Sequence, residues 1–246
     1  MFLDHVKFSS NALSSQSPLR MHNEDAFLHL PEHRFFAVAD GMGGHKGGEI
    51  ASSIATLHLK TWMEGRPEIR QTFDVLSAQL SDEILMSNKH IWHAALAKPA
   101  LEGMGTTLCT LWLDGRFAIH AHIGDSRLYR LRGDELGQLT SDHTAYREAL
   151  TQKNATTTKQ HVLTRALGCT PTITPSIGYQ VAFPKDRFLL CTDGATDVVS
   201  KDQLKNSLAI TDRQNALQHL ISAARSSGST DDITLILVDI EYPDVV

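Results

Sequence analysis

The sequence predicts a single α+β domain, on three observations. Strand-like apolar runs stand towards both ends of the chain and in its middle. Runs with helical periodicity are inserted between them. Hairpin signals such as "LDGRF" recur, and Asp-Gly suits a turn that needs positive φ, so antiparallel pairing is favoured. The chain has 246 residues, 41% of them hydrophobic and 21% charged, which fits one globular domain over 1–246. No linker, repeat or low-complexity tract divides it.

The elements follow in order. "DAFLHL" (25–30) and "RFFAVAD" (34–40) read as strands joined at "PEH". Helices are expected at 48–64 and 67–97. The second places Ile69, Phe73, Leu76, Leu80, Ile84 and Ile91 at helical spacing, so its apolar face needs a sheet to cover it. The block 106–140, broken by "DG", "GD" and "RGD", reads as an antiparallel meander. From 142 to 161 the pattern weakens. "TQKNATTTKQ" is polar with no apolar face and reads as a mobile surface segment. "RFLLCTD" (187–193) is a buried strand, helices follow near 202–208 and 213–225, and "DITLILVDI" (232–240) is the last strand.

Composition narrows the function. A net charge of −5 with no basic block gives no reason to expect nucleic acid as a partner. The cysteines number three, and none is CxxC-spaced; reduced thiols in a cytoplasmic protein fit this better than a disulfide framework. No secretory signal opens the chain, and no apolar run approaches ~18 residues, so no membrane span is expected. A monomer is expected.

One pattern carries chemistry. Apolar runs end in an aspartate and a turn at Asp40, Asp125 and Asp193, and a loop delivers Asp231 to the start of an apolar strand. Glu24 and Asp25 lie just before another strand. Any one of these acids is most simply a turn residue bonding backbone amides. Strands sharing one core bring such ends to one rim, where carboxylates repel and need protons or cations. Hard divalent ions such as Mg²⁺ or Mn²⁺ answer that need. Zinc is disfavoured: there is no HExxH or Cys/His cluster, and His120 and His122 share a strand face with nothing to pair with them.

The stretch "VADGMGGHKGG" packs five glycines into residues 41–48. It fits neither phosphate loop. Lys46 is followed by Gly47, not Ser or Thr, and it also stands where a dinucleotide loop needs its third glycine. Asp40 would repel a phosphate. An acid followed by bare backbone suits a metal, with the Gly41 carbonyl as a second donor.

Eight motifs in order resemble the metal-dependent Ser/Thr protein phosphatases of type 2C, the PPM family, in their bacterial branch: "RMHNEDA", "VADGMGGHKGGEIAS", "GMGTTL", "HIGDSRLYRLR", "LTSDHT", "LTRALG", "LLCTDGATDVVS" and "STDDITLILV". They span Arg20 to Val238. The resemblance implies a four-layer α-β-β-α sandwich, two mainly antiparallel sheets flanked by helices. It implies hydrolysis of phosphoserine or phosphothreonine esters by a water bridging two Mn²⁺ or Mg²⁺ ions, in opposition to a bacterial Ser/Thr kinase. Asp40 would bridge both ions, and Asp193 and Asp231 would complete the first ion's set. Gly41 would offer its carbonyl to the second ion, with Glu24 reaching it through water. Asp25 would stand behind the ligands. Asp125, Asp193 and Asp197 match a third, weaker site. Arg20 matches the phosphate-binding arginine, whose planar fork suits a phosphoryl group. A flap at about 143–162 is implied beside the site.

The sequence departs from the pattern at two places. Met42 stands where some members carry a histidine after Asp-Gly, so the leaving oxygen takes its proton from a water at the ions, from solvent, or from His45. Asp232 replaces the family's usual asparagine and either tightens metal binding or faces solvent. Lys153 and Lys159 give the flap a thin basic character. Arg127 and Arg165 are expected to be structural. The rival readings are a pseudophosphatase that only binds, which generally loses ligand acids, and a phosphatase of small phosphoesters.

Overall fold

The computed structural model describes residues 6–43, 47–67, 71–151 and 162–242. Its strands, in chain order, are β1 (Phe8–Ser15), β2 (Asp25–Leu30), β3 (Phe35–Met42), β4 (Gly105–Thr106), β5 (Leu108–Asp114) and β6 (Phe117–Ile123). They continue with β7 (Arg127–Arg132), β8 (Glu135–Gln138), β9 (Ser176–Val181), β10 (Arg187–Cys191) and β11 (Ile233–Ile240). The helices are α1 (Gly47–Gly65), α2 (Phe73–Ala97), α3 (Ala145–Thr151), α4 (Asp193–Thr196), α5 (Lys201–Leu208) and α6 (Arg213–Ser226).

One sheet has the order β1-β11-β10-β7-β8, the other β2-β3-β5-β6-β9 with β4 added to β3. Their paired strands run antiparallel. The central strands β3, β5, β6, β10 and β11 are apolar on both faces because both faces are covered. In β3, Phe36 and Val38 join Phe188, Leu190, Ile236 and Val238 in the core between the sheets. Phe35, Ala37 and Ala39 point the other way, onto Ala51, Ala55 and Leu59 of α1 and Leu80 and Ile84 of α2. On the opposite side, Leu189, Leu235 and Leu237 meet Leu204 of α5 and Leu217 and Leu220 of α6. The result is a four-layer α-β-β-α sandwich. Phe35, Phe36 and Phe188 are fully buried, each worth about 2–3 kcal/mol against exposure.

Several sequence expectations need adjusting. The "PEH" connection is a short 3₁₀ turn, Pro31–His33, inside the β2–β3 hairpin. The second helix begins at Phe73; Ile69 lies outside the described residues. β1 and β9 were not expected. Each pairs along one edge only and is largely half-exposed, so neither shows a clean apolar run. The chain from 142 on holds α3 before the description stops; residues 152–161 of the polar segment, Lys153 and Lys159 among them, lie outside it. α5 opens on the capping box Ser200/Gln203 and α6 on Asp212, which accepts from Asn215 N.

Candidate metal centre

Both sheets deliver acids to one rim. Asp25 opens β2 and pairs across the ladder with Asp40, near the end of β3. From the other sheet, β10 runs through Thr192 to Asp193 at the start of α4, and Asp231 and Asp232 precede β11. Thr192 ties the layers together. Its Oγ1 donates to Asp25 Oδ2 at 2.9 Å, and the same oxygen accepts from Thr234 N at 3.0 Å. Asp40 is fixed through its backbone: its N–H donates to Thr107 Oγ1 at 2.9 Å, and its carbonyl accepts from Thr107 N at 2.9 Å. Thr107 in turn meets Ser126 Oγ at 2.6 Å, beside Asp125.

The glycines allow β3, α1 and the chain before β2 to meet. A Cβ on Gly41 would fall on the Gly48 carbonyl and lie 2.5 Å from Glu24 O; one on Gly48 would lie 2.7 Å from Gly41 O. No side chain fits between the strand end and the helix start. Gly41 N–H donates to Glu24 O at 3.1 Å, which holds Glu24 over the same junction. His45 lies outside the described residues.

The acids are crowded and short of partners. Asp25 Oδ1 and Asp193 Oδ1 are buried without a hydrogen-bond partner. Burial, with the charges of Asp25 and Asp193 alongside, pushes the Asp40 carboxyl well above the carboxylate range. Burial lifts Asp25 to about 7 against the donated bonds of Thr234 and Thr192. Burial raises Asp231 as well, with Asp193 adding to it and Arg20 opposing it. Burial likewise raises Glu24, opposed by Arg20. Asp125 rises to about 7, through burial and then the charges of Asp193 and Asp197.

Among the described residues, no three acidic, histidine or cysteine side chains stand as a ready-made metal cage. Arg20 pairs with Glu24, Asp231 and Asp232 instead. Even so, the residues fit a divalent cation of the Mg²⁺ or Mn²⁺ class. The donors are all oxygen, two buried carboxylate oxygens have no partner, and Gly41 O and the Glu24 carboxyl group lie around the same point beside Gly48. Arg20 Nη1 lies 3.1 Å from Glu24 Oε2 and 3.0 Å from Asp232 Oδ2, and its Nη2 lies 2.8 Å from Asp231 Oδ1.

Asp232 does not face solvent. It is 1% exposed and takes donors from Ser17 N, Glu24 N and Arg20. Arg127 is paired with Asp142 through Nε and Nη2 and lies 3.8 Å from Asp197. Arg165 lies 3.9 Å from Glu148 of α3. It also lines a groove of about 510 Å³ with Met42, Leu163, Cys169, Ile173 and Thr174. His122 is not isolated: it donates to Ser141 O at 2.8 Å and stacks on His143. Burial lowers His120 to about 4 and His143 to about 3; His143 accepts from Gly124 N at 3.1 Å through Nδ1 and meets Ser176 Oγ at 2.9 Å through Nε2.

Sequence reasoning missed Thr192, Thr107, Ser126 and Arg225. Arg225, at the end of α6, donates to the carbonyls of Asp231, Ser15 and Gln16 and holds the Asp231 loop. Its only sequence signal is a cation in a helix's last turn, which is common in any helix.

Comparison with known proteins places the chain in a family and agrees with the fold. The family profile described as protein phosphatase 2C matches residues 19–229. Serine/threonine protein phosphatase PstP of Mycobacterium tuberculosis is 33% identical over 235 residues, which are 93% of this chain and 44% of PstP. This chain thus spans less than half of PstP. Protein phosphatase PhpP of Streptococcus pneumoniae is 31% identical over 239 residues, 92% of this chain and 94% of PhpP. The crystal structure of the PstP catalytic domain with two manganese ions superposes with a TM-score of 0.85 at 33% identity, covering 96% of this chain and 99% of that one.

Proposed function

Because the chain belongs to the protein phosphatase 2C family, in its bacterial branch, we propose that it hydrolyses phosphoserine and phosphothreonine esters on proteins, in opposition to a bacterial Ser/Thr kinase. The observation that carries this reading is the oxygen-only rim, in which Asp25 and Asp40 pair across the ladder and Asp25 Oδ1 and Asp193 Oδ1 are buried without a partner. Asp40, Asp193 and Asp231 would hold one Mn²⁺ or Mg²⁺. Asp40, the Gly41 carbonyl and Glu24 (through water) would hold a second, and Asp125, Asp193 and Asp197 a weaker third. Bound ions supply an activated water and offset charge developing on the phosphoryl oxygens.

The chain's own groups do the rest. Arg20, half-exposed at the rim, orients the phosphoryl group with its fork. Asp25 is buried behind Asp40 and fixed by Thr192, so it holds position without reaching substrate. Met42 carries no proton to give, so the leaving oxygen takes its proton from water or from His45. Every ligand position is kept, which a binding-only module would not need. No helix among the described residues is long and apolar enough to cross a membrane. The cysteines are free, which suits the reducing cytoplasm, where we place the protein.

The test is hydrolysis of p-nitrophenyl phosphate and of a phosphothreonine peptide by the purified protein. Both should proceed with Mn²⁺ and stop with EDTA. A folded protein inert with Mn²⁺ and Mg²⁺ would leave the binding-module reading. Turnover of p-nitrophenyl phosphate without the peptide would favour small phosphoesters.

A further inference from the structure

Asp232 follows a proposed metal ligand but takes no part in that set. Both its oxygens point at donors. Oδ1 accepts from Ser17 N at 2.7 Å; Oδ2 accepts from Glu24 N at 2.9 Å and from Arg20 Nη1 at 3.0 Å. Ser17 and Glu24 bracket the segment that carries Arg20. One buried carboxylate therefore closes that loop and grips its arginine.

Every neighbour that bonds to Asp232 is a donor, so the position calls for a group with acceptors only. Asparagine, usual here in the family, has one acceptor oxygen and one NH₂. Turned either way, it sets the NH₂ against an N–H and leaves a buried donor unpaired. The departure from asparagine is matched by its surroundings.

The other two partners of Arg20 are Glu24 and Asp231. Both are proposed metal ligands, so a cation competes with Arg20 for them. Asp232 is turned away among backbone amides and stays outside that competition. It is the partner Arg20 keeps when the cations are in place.

We propose that Asp232 is a positioning residue: it anchors Arg20 through Nη1 and so leaves the Nη2 edge facing the phosphoryl group. This rests on the reading of Arg20 as the phosphate-binding residue.

The test uses the Mn²⁺-loaded protein and two readouts. One is kcat and KM on a phosphothreonine peptide. The other is the affinity for inorganic phosphate by calorimetry, which needs no turnover and so separates this proposal from the enzyme reading. Loss of one charge-assisted bond predicts that Asp232→Asn raises KM and weakens phosphate binding about tenfold. Its kcat and Mn²⁺ affinity should stay within about twofold of wild type. In an Arg20→Ala background the same change should add nothing, because coupled residues are not additive. A second variant leaves Asp232 and its loop intact. In Arg20→Lys the ammonium keeps donors but lacks the fork that holds Asp232 on one edge and the phosphoryl group on the other, so phosphate binding should fall about tenfold below wild type. The proposal is overturned if Asp232→Asn acts fully in the Arg20→Ala background. It is equally overturned if Asp232→Asn lowers only kcat and Mn²⁺ affinity, or if Arg20→Lys keeps phosphate affinity within about threefold of wild type.

Discussion

Asp193 concentrates the cost of the site in one side chain. Its Oδ1 is buried without a partner, and its charge helps to push the buried Asp40 carboxyl well above its ordinary value. Asp193→Asn keeps the shape, removes a charge and supplies an NH₂ donor towards Asp40. In EDTA the variant should melt about 2–4 °C above wild type, a gain of roughly 1 kcal/mol for a chain of this size. With Mn²⁺ it should turn over at least ~100-fold more slowly, since a ligand matters no less than the groups that orient it. Scanning fluorimetry and a phosphatase assay check the two halves; retained activity would remove Asp193 from the ligand set. The acids themselves were legible, because each stands where an apolar run meets a turn. The direction of Asp232 was not. Nothing in "DD" says which acid turns inward, and that is decided by Ser17 and Glu24, more than 200 residues away in the chain. The hydroxyls of Thr192 and Thr107 were hidden for the same reason, since their partners exist only once the strands have paired.

At the scale of elements, the site depends on how closely β3, α1 and the chain before β2 approach one another. Gly41→Ala tests this directly. The new Cβ would meet the Gly48 carbonyl and Glu24 O, both backbone, so no side chain can swing aside. Overpacking of this kind costs about 2–3 kcal/mol, to be read from the urea midpoint at unchanged slope. The shift of the strand end should also weaken Mn²⁺ binding in calorimetry. A variant within about 0.5 kcal/mol of wild type and with normal Mn²⁺ affinity would mean that the junction is looser than described. The glycine run was readable as bare backbone behind an acid; its close approach to Gly48 and Glu24 was not. Elements were readable in proportion to their burial. β3, β5, β6, β10 and β11 are covered on both faces and show as apolar runs. β1 is half-exposed along its length, and its "FSSNALSS" has the composition of a loop. Edge strands answer to their single neighbour more than to propensity.

For the whole molecule, stacking two sheets with their acid-bearing ends on one rim ties stability to pH and to cations. Asp25 and Asp125 are both raised to about 7, and Asp40 stands well above its ordinary value. Unfolded, these acids titrate near 4. Between about pH 4 and 7 the folded metal-free protein therefore binds more protons than the unfolded chain. By linkage its stability falls as pH rises through that window. Each tenfold change in proton affinity is worth about 1.4 kcal/mol, so the loss should reach a few kcal/mol, or roughly 5–10 °C in Tm between pH 5 and 8 in EDTA. Cations reverse the sign. Mn²⁺ binds the ionised acids of the folded state only, so it stabilises by mass action, and most strongly where protons no longer compete. Melting curves at pH 5, 6, 7 and 8, with EDTA and with saturating Mn²⁺, should diverge steadily towards high pH. Parallel curves would mean that the rim acids are already ionised and paired in the folded protein without metal.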